Sequence, residues 1–262
     1  MFAEERQALI AELVTSASRV TVNELATRFD ITPETVRRDL DTLEGSRQLR
    51  RVHGGAVALD RLSLSEPSLA ERQTQRHDEK ERIAAAAFAM IPTSTSGSII
   101  LDAGTTTELL ADRLADWTSA GPDDQLLVIT NAVPIAYKLA GNEEIQLHLL
   151  GGRVRGLTRA VVGPSTIAQL EGLRPDIAFI GANGVHAIFG LSTPDLVESS
   201  VKSAIVRSAR LVVALADSTK LDEETLVRFA ALRDIDVLIT DARPSLELSA
   251  ALAAADVEVV IA

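Results

Sequence analysis

The sequence predicts an α/β protein of two domains, and two patterns indicate this. In residues 1–59, three stretches with apolar residues at helical spacing precede two short extended stretches. From residue 76 onward, near-continuous apolar runs alternate with alanine-rich helical stretches, which is typical of a parallel sheet covered by helices. A length of 262 residues also favours about two domains. We therefore expect a small helical module followed by a Rossmann-like α/β domain.

The small module is predicted to contain three helices and a hairpin. Its expected elements are a helix over 4–17, an extended link at 20–22, helices over 23–29 and from 32 onward, and strands at 49–52 and 56–59. The third helix begins at Thr32 and Pro33, because Thr is a good N-cap and Pro suits the first helical position. This order of elements is that of a winged helix-turn-helix.

The third helix of the module has an arginine-rich outer face. Its apolar residues Val36, Leu40 and Leu43 share the inner face, which leaves Arg37 and Arg38 on the outer face. A helix with such an outer face can lie in the major groove of DNA. The residues that we expect to contact DNA, from this helix and from the hairpin, are Thr32, Thr35, Arg37, Arg38, Arg50, Arg51, His53 and Gly54. The alternative is a solvated helix, but the cap, the preceding helix and the basic hairpin together favour DNA binding.

The net charge of −11 at first argues against nucleic acid, which repels an acidic surface. The charge is unevenly distributed, however. The first 57 residues hold eight Arg and nine acidic residues, so almost all of the excess lies in the second domain. With few aromatic residues, 3% of the chain, base stacking on single strands is not expected. We expect the module to bind a double-stranded DNA operator.

Residues 60–75 are polar and contain Pro67, so we expect a linker there, with the second domain over 76–262. The predicted strands of that domain are 98–102, 126–130, 145–150, 177–180, 211–215, 237–240 and 257–261. The predicted helices between them are 80–91, 107–116, 132–140, 163–171 and 197–210. In open α/β sheets, ligands bind at the carboxyl edge of the strands.

Loops at that edge carry polar residues. The stretch Asp102–Thr107, DAGTTT, follows a strand and begins a helix, where free N–H groups and hydroxyls can hold a phosphate. An ordinary capped turn is the alternative for this loop alone. Further polar loops contain Asn131, Gly152 with Arg153, and Asn183. Glu198 and Lys202 stand four residues apart and could simply stabilise a helix, and Asp217 with Lys220 could form another turn.

These motifs resemble the DeoR family of bacterial transcriptional regulators, over residues 5 to about 241. The family signature is similar to VNELATRFDITPETVRRDLDTLE followed by LRRVHGGAV. The second domain resembles the DeoR sensor domain, which is similar in fold to ribose-5-phosphate isomerase and binds phosphorylated sugars. The matching segments there are LDAGTTT, TN at 130–131, LLGGRVRGLT, FIGANGV, ESSVKSA and LADSTK.

The resemblance implies a repressor of sugar genes, of the fructose and phosphotransferase-system branch, controlled by a sugar phosphate such as fructose 1-phosphate or fructose 6-phosphate. It implies that Gly104, Thr105, Thr106 and Thr107 hold the phosphate. It further implies that sugar or phosphate oxygens contact Asp102, Asn131, Arg153, Glu198, Lys202 and Lys220, and we add Gly152 and Asn183 from their loops. We expect a homodimer or homotetramer, because paired modules double the DNA contacts.

An isomerase with a DNA-binding appendage is the alternative. Aldose–ketose isomerisation needs a carboxylate base, and Asn183 stands where the similar isomerases carry acidic residues, so we expect no enzyme activity. No cysteine occurs, which excludes disulfides and cysteine metal sites, and we expect no cofactor or metal. The longest apolar run has nine residues and the N-terminus shows no signal pattern, so we expect a cytoplasmic protein without membrane contact.

Overall fold

A computed structural model describes residues 3–17, 19–46, 48–52, 54–58, 69–91, 97–119, 121 and 125–262. The chain divides into two compact units, Met1–Leu64 and Ser65–Ala262. The predicted strand end at residue 59 and most of the predicted linker lie outside the described residues. No helix in the described ranges is long and apolar enough to cross a membrane.

The first unit is a winged helix-turn-helix, as predicted. Its elements are α1 (Ala3–Ala17), β1 (Arg19–Thr21), α2 (Val22–Phe29), α3 (Pro33–Gly45), β2 (Leu49–Val52) and β3 (Gly55–Ala58). The three strands form an antiparallel sheet in the order β1-β3-β2. The predicted extended link at 20–22 is thus a sheet strand up to Thr21, and its pairing with β3 could not be read from three residues.

Local sequence signals place these helices. Thr21 and Glu24 form a capping box at the start of α2, and Asp30 ends α2 in the left-handed region at φ 51°. Thr32 caps α3, and Pro33 takes its first position. The three helices and the sheet close over one apolar core formed by Ile10, Val14, Val20, Val22, Leu25, Val36, Leu40, Leu43, Leu49 and Ala56. Burial of this core holds α3 in place.

The second unit is a Rossmann-like α/β domain. Its helices are α4 (Leu69–Thr74), α5 (His77–Phe88), α6 (Thr105–Leu114), α7 (Val133–Leu139), α8 (Pro164–Glu171), α9 (Leu196–Ser208) and α10 (Leu246–Ala254). Its strands are β4 (Gly97–Leu101), β5 (Leu126–Thr130), β6 (Ile145–Leu149), β7 (Arg153–Arg155), β8 (Ala160–Val162), β9 (Ile177–Gly181), β10 (Gly184–His186), β11 (Gly190–Thr193), β12 (Leu211–Leu215), β13 (Val227–Ala230), β14 (Val237–Thr240) and β15 (Glu258–Ile261).

Seven of these strands form a parallel sheet in the order β15-β14-β12-β9-β4-β5-β6. The chain runs outward from β4 to β6 and then returns to β9 on the other side of β4, from which it runs outward to β15. The strand order therefore reverses between β4 and β9. Loops that leave the carboxyl ends of these two strands diverge, and this leaves the crevice in which ligands bind in open α/β sheets.

The sheet is buried on both faces, as the continuous apolar runs predict. Ile99 and Leu101 of β4 point into one core, together with Ile83 of α5 and Leu110 of α6. Ile100, between them, points into the opposite core with residues of α8, α9 and α10. This alternation along a strand places one helical layer on each face.

The structure differs from the predictions in two respects. The linker is shorter than expected, because Leu69–Thr74 is helical and its first residue is buried in the second unit. Six strands and helices were also missed, namely β7, β8, β10, β11, β13 and α10. The missed strands have only three or four residues each, too few for their periodicity to stand out.

Candidate functional site

The outer face of α3 carries two exposed arginines. Arg37 forms an ion pair with Glu34, 3.1 Å away, and both side chains are more than half exposed. Arg38 has no ion pair or side-chain hydrogen bond to any residue in the described part of the chain. Its guanidinium is therefore available to an external acceptor without breaking a contact, and Arg is suited to guanine edges and phosphates.

The inner face of α3 is fixed by a buried ion pair that the sequence reasoning missed. Arg6 of α1 donates from Nε to Oδ2 of Asp39 at 2.6 Å and from Nη2 to Oδ1 at 3.1 Å. Gln7 donates to the same carboxylate at 3.0 Å. The hydrogen bond to Asp39 raises the pKa of Arg6. A spacing of 33 residues gives no local sequence signal for this pair.

The two threonines at the start of α3 form hydrogen bonds with each other. The Thr32 hydroxyl accepts from the N–H of Thr35 at 3.3 Å, and the two hydroxyls lie 2.9 Å apart. Thr35 is half-buried, whereas Thr32 is exposed. Both therefore shape the N-terminus of the helix, which is the end that enters the groove in helix-turn-helix proteins.

The hairpin is tied to α3. The guanidinium of Arg51 pairs with Asp41, and the main-chain N–H of Arg51 donates to the Glu44 carboxylate at 2.8 Å. Gly54 adopts φ 79° and its carbonyl accepts from the N–H of Val22 at 2.7 Å, so its role in the structure is to make the turn. His53 and the side chain of Arg50, both predicted to contact DNA, lie outside the described residues.

In the second unit, a cavity opens at the point where the strand order reverses. Loops after three neighbouring strands line it: Gly104–Thr107 after β4, Gly181–Asn183 after β9, and Asp217 with Thr219 and Lys220 after β12. Glu198 and Lys202 of α9 complete one side. The structure thus brings together eight of the predicted effector residues: Gly104, Thr105, Thr106, Thr107, Asn183, Glu198, Lys202 and Lys220.

The Gly104–Thr107 loop leads directly into α6. Thr107 is fully buried, and its hydroxyl donates to the carbonyls of Asp102 at 2.7 Å and Gly104 at 2.9 Å. Thr107 therefore holds the loop in shape. The hydroxyls of Thr105 and Thr106 make no hydrogen bond to another residue in the described ranges. With the first N–H groups of α6, they can take up an anion.

Lys202 is held behind this loop by Asp102. Its ammonium pairs with Asp102 Oδ2 and donates to the carbonyl of Gly181 at 2.8 Å. An ammonium has three donors, so one remains for a ligand. Burial raises the pKa of Asp102, and the charge of Lys202 opposes that rise. Asp102 itself is 1% exposed and positions Lys202 at the cavity.

Glu198 does not pair with Lys202, although the two stand four residues apart. Arg155 donates to Glu198 Oε1 at 3.1 Å, and the hydroxyl of Thr158 donates to the same oxygen. Arg155 also pairs with Asp195, the N-cap of α9, at 3.1 Å. The β7–β8 hairpin thereby orients Glu198. Its Oε2 accepts from no side chain in the described part of the chain and can accept from a ligand hydroxyl.

Four lining residues come from the end of the predicted linker and the start of the predicted second domain. They are Arg72, Gln75, Arg76 and Lys80. Arg76 donates to Ser218 at 2.8 Å and pairs with Asp241 at 3.3 Å. The polar composition of this segment concealed its helix, and the cluster of basic residues was the one available signal.

Four predicted effector residues do not line the cavity: Asp102, which holds Lys202 from behind it, and Asn131, Gly152 and Arg153. Asn131 is buried, and its Oδ1 accepts from the N–H of Ala103 at 3.0 Å, so it supports the loop after β4. Gly152 and Arg153 follow β6, the edge strand, two positions from β4. A Cβ at Gly152 would lie 2.3 Å from the Thr166 hydroxyl, so glycine serves packing there. The sequence could not give the sheet order that separates β6 from β9.

These two sites define a class of protein: a regulator that joins a DNA-binding winged helix to a ligand-binding α/β domain. A family model for the DeoR-like helix-turn-helix domain matches residues 6–61, and one for the DeoR C-terminal sensor domain matches residues 75–242. The chain belongs to the DeoR family of transcriptional regulators.

Individual proteins are also similar to this chain. The HTH-type transcriptional regulator FruR of Bacillus subtilis is 35% identical over 242 residues, 92% of each chain. The lactose phosphotransferase system repressor of Streptococcus mutans is 32% identical over 240 residues, 91% of this chain and 92% of its own. Ribose 5-phosphate isomerase A of Methanocaldococcus jannaschii covers 56% of this chain and 55% of its own at 21% identity, with a TM-score of 0.40, which carries no inference about activity.

Proposed function

We propose that this chain represses genes of sugar uptake and metabolism, of the fructose and phosphotransferase-system type, and that a phosphorylated sugar controls its binding to DNA. The observation that carries the proposal is the cavity, where a helix N-terminus with two free threonine hydroxyls meets the ammonium groups of Lys202 and Lys220. Such a combination suits an anionic ligand with hydroxyl groups. The similar lactose phosphotransferase system repressor of Streptococcus mutans is named for genes of this class, which supports the proposal.

The cavity offers complementary groups to each part of the proposed effector. The phosphate lies on the Gly104–Thr107 loop, and the sugar hydroxyls lie against Asn183, Glu198 and Lys202. Glu198 accepts hydrogen bonds and Lys202 donates them, which fits hydroxyl groups that do both. We propose fructose 1-phosphate or fructose 6-phosphate as the ligand of this site, bound in the cytoplasm, without a metal or cofactor.

DNA binding is assigned to α3 and the hairpin, with Arg37 and Arg38 in the major groove and Arg50, Arg51 and His53 at the backbone or adjacent groove. A single module covers a short half-site, so we propose a homodimer or homotetramer on a paired site. The effector controls DNA binding only if it has different affinities for two arrangements of the modules. Light scattering of the purified chain measures the oligomer directly.

The alternative of an isomerase is disfavoured by the cavity. One oxygen of each lining carboxylate has structural partners: Glu198 Oε1 accepts from Arg155 and Thr158, and Asp217 Oδ1 accepts from the N–H of Thr219 at 3.1 Å. Asn183 is an amide and cannot take up a proton as a base. Incubation with ribose 5-phosphate, followed by detection of the ketose, would revive the isomerase hypothesis if turnover occurred.

The proposed function is tested with DNA selected by the protein from a randomised pool. Fluorescence anisotropy would follow this DNA while fructose 1-phosphate, fructose 6-phosphate, fructose or inorganic phosphate is added. A sugar phosphate should change DNA affinity by about 5- to 150-fold, the usual range of allosteric coupling, and fructose should not. The proposal fails if no sugar phosphate changes DNA affinity.

A double variant distinguishes the effector site from the DNA-binding site. Lys202→Met, paired with Asp102→Asn so that no buried charge is left alone, should keep DNA affinity and lose most of the response. The circular dichroism melt of this double variant must show a folded domain. An unchanged dose–response in the folded variant would remove Lys202 from the effector site.

A further inference from the structure

Strand β6 is one edge of the parallel sheet, and its outer side pairs with no strand in the described part of the chain. Directly after β6, the N–H of Leu150 donates to the carbonyl of Thr130 in β5 at 2.8 Å. Because main-chain groups alternate in direction along a strand, those of Leu147 and Leu149 point away from β5. These outward groups can pair with a further strand.

The composition of β6 leaves this edge open to pairing. Edge strands in proteins usually carry a charged residue or a proline that blocks a further strand. The sequence of β6, IQLHL, contains no Asp, Glu, Lys, Arg or Pro. The opposite edge strand, β15, contains Glu258, and the side chain of Arg82 donates to the carbonyl of Ala262 directly after it. The two edges of the sheet therefore differ, and β6 is the one that suits a strand–strand contact.

Exposed apolar side chains lie beside this edge. Ile145 and Leu147 face the core on the side of α7, so Leu149 lies on that side by alternation, and it is 43% exposed. Val133 and Tyr137 stand one turn apart on α7 and are exposed, Tyr137 by 85%. A stable interface buries about 800 Å² of each partner, more than one short strand supplies. The exposed side of α7 provides further area next to the edge.

The two ends of β6 carry opposite charges. Glu143 precedes the strand, whereas Arg153 follows it and Arg159 lies in the turn of the β7–β8 hairpin, where its carbonyl accepts from the N–H of Val133. These three charged side chains are exposed and make no ion pair or side-chain hydrogen bond within the described ranges. A strand of five residues, about 13 Å long, separates the acidic end from the basic end. In an antiparallel pair of β6 strands, the acidic end of each lies beside the basic end of the other.

We propose that a second copy of this chain pairs with β6, antiparallel and about a two-fold axis at Leu147, so that the two parallel sheets join into one. In this register, Ile145 of one copy stands opposite Leu149 of the other, and all five residues of each strand take part. Residues on the α7 side of one copy meet residues on the α7 side of the other, as a two-fold axis requires. The exposed Leu149 is then covered, and Glu143 lies near Arg153 of the other copy.

This inference rests on the proposed function, since it names the interface of the proposed homo-oligomer. It also gives a role in assembly to Arg153, which does not line the effector cavity.

Charge reversal tests the antiparallel arrangement. Glu143→Arg and Arg153→Glu should each weaken self-association about tenfold at low salt, because each change turns two symmetric attractions into repulsions. The double variant restores opposite charges across the interface and should return to within about threefold of the wild type. Sedimentation velocity of the full chain over a dilution series measures the dissociation constant. Arg243→Glu and Glu247→Arg, two exposed charges at or just before α10, are the control pair and should each change it less than about twofold.

A second variant tests the strand itself. Leu149→Lys should weaken self-association at least about tenfold, because it places a charge within the strand pair. Leu246→Lys makes the same change at an exposed leucine of α10 and should have no effect. The fluorescence melt of the buried Trp117 must match that of the wild type in every variant, which shows that the second unit is folded.

Two results would overturn the interface. The first is an unchanged dissociation constant in the single charge reversals, and the second is a double variant that associates as weakly as the single ones. In either case, an oligomer whose DNA affinity responds to a sugar phosphate keeps the proposed function. A chain that stays monomeric at every concentration refutes both this interface and the proposed homo-oligomer, whereas control of DNA binding by the effector is then decided by the anisotropy experiment alone.

Discussion

The ammonium of Lys80, on α5, donates to the main-chain carbonyls of Arg72 and Gln75, at and just beyond the C-terminal end of α4. A cation there satisfies carbonyls that the helix cannot and suits the negative end of the helix dipole. With six residues, α4 is too short to be stable alone. The Gln73 amide also donates to both oxygens of Glu108, at 3.1 and 3.0 Å. Tertiary contacts therefore hold α4 against the cavity.

The affinity for a phosphorylated effector should fall as the pH rises through about 8. Lys80 lines the cavity and attracts an anion there only when it is protonated. Burial lowers its pKa to about 8, with Lys220, Arg72, Asp217 and Glu79 facing it. Between pH 7 and 9 the phosphate remains a dianion, so Lys80 is the group that changes. Re-protonation at pH 9 costs up to about tenfold in affinity. Titration calorimetry at pH 7, 8 and 9 measures this.

Lys80→Met should flatten that pH profile, whereas Lys138→Met, a change on α7 outside the cavity, should retain it. The free energy of unfolding of the wild-type protein without effector should change with pH in the direction opposite to the effector affinity. Between pH 8 and 10.5 the unfolded chain keeps the Lys80 proton and the folded chain releases it, so stability should rise with pH there. A wild-type pH profile in Lys80→Met would show that the charge of Lys80 does not act on the effector.

Arg38→Ala should weaken DNA binding by about 1–3 kcal/mol per contacted half-site. Its guanidinium is exposed and has no ion pair or side-chain hydrogen bond within the described residues, so its loss should leave folding intact. Fluorescence anisotropy with selected DNA measures the change. Arg233→Ala, an exposed change in the second unit, is the control. Equal DNA affinity of Arg38→Ala and wild type would refute the recognition-helix assignment.

Asp39→Asn should destabilise the first unit by about 3–5 kcal/mol, because it leaves the buried Arg6 without its counter-charge. The circular dichroism melt should show a transition at lower temperature. Trp117 is the chain's single tryptophan and is buried in the second unit, so its fluorescence melt should not move. Asp41→Asn, on the same helix but in an exposed pair, should cost no more than about 1 kcal/mol.

Gly55→Ala should disrupt the pairing of β1 with β3. A Cβ at Gly55 would lie 1.9 Å from the carbonyl oxygen of Val20, which belongs to the main chain and cannot move aside without opening the sheet. We expect a loss of about 1–3 kcal/mol. Gly45→Ala, where a Cβ meets nothing within 4 Å, should be neutral or stabilising. Hydrogen exchange at the β1 and β3 amides distinguishes the two variants.

The helices of the first unit were predictable because their ends carry short-range signals. Thr32 with Pro33 begins α3, and Val36, Leu40 and Leu43 face the core as their spacing predicts. The sheet of the second unit was predictable from its continuous apolar runs, and β5, β12 and β14 have the predicted bounds. The position of the loop after β4 at the cavity was also predictable, because this loop joins a buried strand to a helix.

Contacts between residues distant in the chain could not be predicted from the sequence. The i, i+4 spacing of Glu198 and Lys202 suggested a mutual pair, yet Arg155 and Asp102 are their partners, 43 and 100 residues away. The strand order also had to be known before the supporting role of Asn131 could be distinguished from the cavity-lining position of Asn183. Both follow strands in small polar loops, but Asn131 supports the loop and Asn183 lines the cavity.

The ion pair between Arg6 and Asp39 separates two tasks within α3. Stability depends on the inward residues, and the outward residues contribute nothing to the core. Mutations at Arg37, Arg38 and other outward residues of α3 can therefore accumulate without loss of the fold. The DNA sequence that such a module prefers can change during evolution, or be redesigned, while the same scaffold and the same ligand-binding domain are kept.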